Sequence, residues 1–255
     1  MQVDLNADMG ESYGPWPMGN DAAVLDIVTS ANIACGAHAG DPDVMAQTMT
    51  LSHARGVGIG AHPGFADLQG FGRRRMQVPL PSLQNSIRYQ VGASLGMARS
   101  VGAEVRHLKL HGALANMCSE DAAMATACYE AALSVAPDII VMVLAATAQD
   151  AAVRKLGCQF ACEILADRAY NDDATLVDRS KPGAVIHDPA VAGPRMAQMV
   201  KAGAIITESG ARIETPIDTI CLHGDTPTAV EIAKSVRAAL EGSGSTVTQF
   251  PGRTA

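Results

Sequence analysis

Seven histidines are spread along the 255-residue chain. Four of them, His38, His62, His111 and His223, each follow a short β-rich run directly or after a brief exit turn. Imidazole is the side chain best suited to proton transfer near neutral pH, and it is a common metal ligand. His187 lies just before a helix start. His53 falls inside a helix and His107 near the start of its strand, and these two read as structural. The run Asp4-Leu5-Asn6-Ala7-Asp8 alternates polar and apolar residues, so Asp4, Asn6 and Asp8 share one face of a strand. Carboxylates on an interior face must be hydrogen-bonded or paired. Asp4 reads as the structural member, and Asp8 with Glu11 at the strand exit as acid, base or metal ligand. A purely structural polar network is the alternative.

Lys109 and His111 are two apart on one strand and therefore point the same way. An inward lysine needs a carboxylate to keep its charge, and Glu163 is the candidate partner. Asp167-Arg168-Ala169-Tyr170 follows as a polar exit loop in which Arg168 could fork onto a carboxylate. His38-Ala39-Gly40-Asp41-Pro42 and His223-Gly224-Asp225-Thr226-Pro227 share a layout of histidine, small turn and proline-led helix start. Such helix starts expose amides that favour an anion. Gly70-Phe71-Gly72-Arg73-Arg74 sits in a long loop that reads as a lid.

The elements that must position these groups are well punctuated. β-rich runs cover Gln2–Asn6, Thr29–Ala34, Val57–Ala61, Val105–Leu110, Ile139–Leu144, Gln159–Leu165 and Thr219–Leu222. Helices alternate with them. One covers 20–28, and Asp41-Pro42, Pro81, Ser119, Thr147, Asp188-Pro189 and Thr226-Pro227 open the others. Ile205–Glu208 and Arg212–Thr215 read as a hairpin before the last strand. Alternating strands and helices without a linker predict one α/β domain over residues 1–255, a single distorted (β/α) barrel of about seven parallel strands. In such a barrel the reactive groups belong at the C-terminal strand ends, where the four histidines fall.

Composition removes other classes. At 48% hydrophobic residues the chain is not disordered, and a net charge of -7 with no basic run longer than Arg73-Arg74-Arg75 argues against nucleic-acid binding. The longest apolar run, Ile139 to Ala146, is far short of the ~20 residues that span a bilayer. The opening MQVDLNADMGE shows no export signal, and the six cysteines form no CxxC pair, so a cytoplasmic protein with reduced thiols is expected. There is no P-loop, no GxGxxG after a strand and no GxSxG elbow.

DLNADMGES (4–12), SANIACGAHAGDP (30–42), GAHPGFADLQGFGRR (60–74), KLHGALAN (109–116), ADRAYNDDATLVDRS (166–180) and ICLHGDTP (220–227) resemble, in order, the motifs of the LamB/YcsF family. The resemblance implies a glycoside hydrolase/deacetylase-like barrel. It also implies ATP-dependent opening of the 5-oxoproline lactam to L-glutamate together with two further subunits, B and C, with ATP and Mg as co-substrate. It assigns catalysis to Asp8, Glu11, His38, His62, Lys109 and His111. Asn6, Asn32, Arg73, Asn116, Arg168, His223 and Asp225 become substrate-binding. Asp8, His38 and His62 could hold a divalent metal. Ala37, Leu110 and Ala115 depart from the family pattern at the expected mouth.

On this reading Lys109, Arg73 and Arg168 take anionic groups, a histidine is the base for water, and Asp8 or Glu11 orients it. Replacing Lys109 is then expected to remove activity and leave the fold. Two other readings use the same residues. One is an ATP-independent, metal-dependent amidase or deacetylase, and the other a ligand-binding subunit without catalysis.

Overall fold

A computed structural model describes residues 1–223 and 228–254. Asp225 and the Thr226-Pro227 helix start lie outside the described residues. Six parallel strands come first: β1 (Gln2–Met9), β2 (Ser30–Ala34), β3 (Gly58–His62), β4 (Val105–Lys109), β5 (Ile140–Leu144) and β6 (Phe160–Leu165). The expected hairpin follows as β7 (Ala204–Ile206) and β8 (Arg212–Glu214), antiparallel and outside the main sheet. Strand β9 (Thr219–His223) then pairs with β6 on one side and β1 on the other. The seven strands β1–β6 and β9 therefore form a closed parallel barrel, and β10 (Thr246–Val247) extends the base of β1.

Helices cover the outside, and most of their ends follow from local chemistry. In α1 (Asp21–Leu25) the Asn20 side chain caps the N-terminus, and in α2 (Pro42–Ala54) Asp41 does so ahead of Pro42. Helix α3 (Leu80–Ser100) matches the long expected helix. The segment after β4 differs from expectation. Ser119 opens no helix; its hydroxyl donates to the Asn116 carbonyl inside α4 (Gly112–Glu120). Asp121 then caps α5 (Ala122–Leu133) by accepting from the amides of Ala123 and Met124. Two short helices replace one because Asp121 takes extended backbone (φ -128, ψ 103). Helices α6 (Ala148–Leu156) and α7 (Pro189–Ala202) start at Thr147 and Asp188 and end at left-handed Gly157 and Gly203. Helix α8 (Ala229–Gly242) packs against α7.

Strand alternation sorts side chains into two environments. Leu5, Ala7, Met9, Ile33, Ile59, Leu108, Val141 and Ile164 point outward into the main apolar core shared with the helices. Inward-facing residues divide again. Ile140, Met142 and Ala161 meet Phe250 of the C-terminal segment and fill one side of the barrel with hydrocarbon. The other side is polar. Asp4 accepts from the hydroxyls of Thr29 (2.6 Å), Ser30 (2.8 Å) and Thr219 (2.5 Å). One layer up, the Asn6 amide donates to Thr219, and Asn32 donates to Asn6 and Asp8 (2.7 and 2.9 Å). His107 completes this layer, 2.8 Å from Asn32 Oδ1, with its ring pushed down to about 3 by burial and so neutral. It fits because position 60 is glycine: a Cβ there would lie 2.1 Å from His107 Nε2. The β3–β4 register shifts at that point.

Burial pushes the Asp4 carboxyl up to about 6 against the pull of its three hydroxyl donors. The folded chain thus holds this proton more tightly than the unfolded one, so Asp4's contribution falls as pH rises from 3.8 through about 6. Asp4→Asn does not titrate. Its stability deficit against wild type should shrink by about 3 kcal/mol between about pH 3 and pH 7 in urea unfolding. A deficit independent of pH would contradict a buried, protonatable Asp4.

Candidate active site

At the C-terminal end of the barrel a chamber of about 100 Å³ opens between the strand tips. Its polar wall includes Asp8 (β1), Lys109 (β4), Glu163 (β6) and His223 (β9), with His111 and Asn116 from α4 and its N-cap. Arg73 and Arg168 come from loops, and Met142, Leu144, Leu165 and Leu176 form the apolar wall.

Lys109 is the hub. Its ammonium donates to Asp8 Oδ1 (2.9 Å) and Cys221 Sγ (2.9 Å) and pairs with Glu163 Oε1 (3.0 Å). Burial alone would strip its proton. Asp8, Cys221 and Glu163 outweigh that and hold it charged, well above its ordinary 10.5. Burial likewise opposes ionisation of Asp8, but His62 and Lys109 keep its carboxyl well below 3.8. Because both charges of Lys109 and Asp8 are matched, the lysine holds the carboxylate in place and brings no surplus positive charge to a ligand.

The histidines form two populations. His62 Nδ1 lies 2.8 Å from the Lys109 carbonyl and His111 Nε2 lies 2.8 Å from the Phe71 carbonyl. Carbonyls only accept, so each of those nitrogens carries the proton. That leaves His62 Nε2 and His111 Nδ1 facing each other at 3.0 Å, with His62 Nε2 also 3.3 Å from Asp8 Oδ2. One shared proton, or a cation, is needed between them. His38 stacks on His111 at 3.6 Å with both ring nitrogens buried and, among the described residues, without a hydrogen bond. Burial and the neighbouring imidazoles push His38 and His111 well below 6.5, toward the neutral, basic form. His223 is the opposite case. Its Nδ1 lies 2.7 Å from Asp167 Oδ2, and that carboxylate raises it despite burial.

The loop after β3 closes over the first group, as expected of a lid. Phe71, with φ of +54°, presents its carbonyl to His111 and its ring edge-on to His38 and His111. Gly72 beside it could not carry a side chain: a Cβ would fall 2.7 Å from His38 Cβ. Asp67 anchors the loop through Arg74 and the Gly70 amide.

The structure brings the expected residues together in two layers. Asp8, Lys109, His111, Arg73, Asn116, Arg168 and His223 line the chamber. His38, His62 and Glu11 stand behind it, with Glu11 Oε1 3.8 Å from both His38 and His111. Asn6 and Asn32 are fully buried beneath it and reach it only through Asp8 and Lys109. Among the described residues the Arg168 guanidinium donates to the carbonyls of Ala184 and Val177, which hold it in the chamber wall. Glu163 and Asp167 lie where the strand pattern put them, whereas Arg179, also in the wall, carried no signal of its own in a surface loop. Glu11, His38, His62 and His111 each offer one ligand atom within 4.8 Å of the others, so the donor set suits a divalent ion. Asp8 is outside that group, beside His62 at 3.3 Å.

A sequence profile described as the LamB/YcsF family matches residues 3–255. The chain belongs to the LamB/YcsF family. It is 72% identical over 249 residues to a Ruegeria pomeroyi protein named as the A component of 5-oxoprolinase, covering 98% of each. Among solved structures, the lactam utilization protein from Thermus thermophilus superposes with a TM-score of 0.91 at 39% identity, covering 98% of this chain and 100% of that one. A family 4 carbohydrate esterase from Streptomyces lividans superposes at 0.52 with 10% identity, covering 100% and 96%, and shares the barrel alone. The glycoside hydrolase/deacetylase-like architecture implied by the motifs is thus the observed one.

The lysine network predicts a loss of stability where the sequence alone led one to expect an intact fold. Lys109→Met leaves Asp8 and Glu163 buried together, so it should cost about 3–5 kcal/mol of folding stability as well as activity. The ordinary values, 3.8 for Asp8 and 10.5 for Lys109, bound the pH range over which the pair contributes fully. The penalty in chemical unfolding should therefore be largest near neutrality and shrink in acid, as Asp8 takes up a proton. A neutral effect on stability would contradict the hub.

Proposed function

We propose that this chain, acting as one domain over residues 1–255, is the lactam-opening subunit of an ATP-dependent 5-oxoprolinase that works with partner subunits B and C. The near-full-length likeness to a protein named for that activity carries the reading, and the chamber's chemistry supports it. An unstrained lactam is a poor electrophile. Transfer of the terminal phosphoryl group of MgATP to the amide oxygen releases ADP and makes the ring carbon attackable. The His62–His111 pair, reached through His111 in the chamber wall, takes a proton from water between its two facing nitrogens as the water oxygen bonds to that carbon. Asp8, held by Lys109, orients the water. The carbon–nitrogen bond then breaks, and His223, kept protonated by Asp167, delivers a proton to the departing nitrogen. The product is an acyl phosphate, which a second water cleaves to glutamate and phosphate.

Arg73 and Arg168 face the anionic groups of the substrate, with Asn116 and Asp225 assigned alongside them; Asn6 and Asn32 serve binding indirectly, as the floor under Asp8. His38, His62 and Glu11 fix His111 from behind. Glu11, His38, His62 and His111 would also be the residues to hold a divalent metal, which would supply Lewis-acid activation of water. That same donor set favours a second reading, an ATP-independent metal amidase. The six free thiols support a cytoplasmic setting. No helix among the described residues is long and apolar enough to cross a membrane.

The complex reconstituted with subunits B and C should form glutamate from 5-oxoproline only with MgATP. His223→Gln should lower kcat by about 10²-fold or more with a smaller change in KM. Glutamate formation without ATP, by protein carrying stoichiometric metal, would replace this reading with the second.

A further inference from the structure

The chamber leads outward into a second cavity of about 390 Å³ that ring opening does not use. Arg73, Arg168 and Arg179 stand in the walls of both. The outer wall adds Arg75 and Lys181 and includes two acids, Glu120 and Asp178. A positive balance here runs against a chain whose net charge is -7. Both acids are also engaged. Glu120 takes a two-pronged bond from Arg75 (2.9 and 2.6 Å), and Asp178 accepts from the amide and hydroxyl of Ser180 (2.8 and 2.6 Å).

Arg168 is the telling member. It is 4% exposed, and among the described residues its guanidinium bonds only to backbone carbonyls. Burial and the like charge of Arg179 pull it down to about 10, against the opposite pull of Asp167. A buried cation crowded by another cation is costly in the bare protein and is relieved by an anion. The start of α4 adds to the same field. Its N-cap residue His111 gives its ring to Phe71 and His62, so no side chain among the described residues caps the helix, and Gly112 lines the chamber while Ala113 lines the outer cavity.

We propose that this outer basin is a phosphoryl-binding subsite: it holds a tetrahedral phosphate dianion at the mouth while a small ring occupies the chamber. The inference rests on the function proposed above, in which the activated lactam bears a phosphoryl group on its ring oxygen. Forked guanidinium donors match the several oxygens of such a group, and a ring carboxylate alone needs no cavity of this size outside the chamber. The phosphoryl group of the activated lactam, released orthophosphate and the terminal phosphate of a nucleotide share this chemistry.

Calorimetry of the full chain at fixed ionic strength with orthophosphate, acetyl phosphate, MgATP and, separately, 5-oxoproline tests it. Orthophosphate should bind saturably. Arg179→Ala should weaken it roughly tenfold, and Lys181→Ala by about threefold, with 5-oxoproline affinity in the Lys181 variant unchanged. Equal affinities for the three phosphates support the activated lactam as source, and a MgATP affinity about 100-fold tighter supports the nucleotide. Absence of phosphate binding up to about 10 mM, or binding indifferent to both substitutions, overturns the subsite. Failure of 5-oxoproline to bind while phosphate does would instead count against the lactam reading and leave the basin standing.

Discussion

Lys109 carries a charge into the interior of a closed barrel, and the site is organised around the cost of doing so. An ammonium at that depth is tolerable only with carboxylates on both sides, and β1 and β6 supply them as Asp8 and Glu163. Those strands stand on opposite flanks of β9, so one side chain ties three parts of the barrel wall together through Asp8, Glu163 and Cys221. Below it Asn6, Asn32 and His107 form a hydrogen-bonded layer that the lysine reaches only at its upper edge, and Gly60 makes room for it. The hydrocarbon half around Ile140, Met142 and Phe250 needs no such arrangement. Stability and chemistry therefore sit on the same side of the barrel.

The reactive rim inherits its division of labour from this frame. Backbone carbonyls of Lys109 and Phe71 dictate which nitrogens of His62 and His111 hold protons, so strand and lid together set the basic pair. On the far side Asp167 does the reverse for His223. Neutral and protonated imidazoles thus face one small chamber from different elements, the arrangement a reaction needs when it must take a proton from water and give one to nitrogen. Phe71 holds the left-handed backbone that brings its carbonyl to His111, and Gly72 leaves the histidines room beneath it.

Much of this was legible in the sequence because it is written in period and punctuation. The alternation of Asp4, Asn6 and Asp8 located the interior face of β1; Lys109 and His111, expected on one strand, meet at the chamber although β4 ends at Lys109 and His111 is the N-cap of α4, still in extended backbone. The Lys109–Glu163 pair followed from charge logic. Other features depended on tertiary geometry. The break between α4 and α5 turns on the extended backbone of Asp121, in a run where Ser119 offers an equally good capping residue. Arg168 stood out as a fork for a carboxylate, but the fold-back of its loop, which has the guanidinium also donate to carbonyls 9 and 16 positions away, was not legible. Letters alone could not reveal that Asn6 and Asn32 lie beneath the chamber, since depth in a barrel is set by register with neighbouring strands.

The charge on Lys109 is the most direct point of test. Carbon-13 labelling of the lysine ε-methylenes, with Lys109 assigned by substitution, reports its protonation by NMR across the pH range of the folded chain. A lysine paired with two carboxylates should show an ammonium shift up to at least about pH 10 with no titration below it. A neutral amine at pH 7 to 8, roughly where a buried lysine without partners titrates or below, would show that the carboxylates do not sustain it and that the site is organised on some other basis.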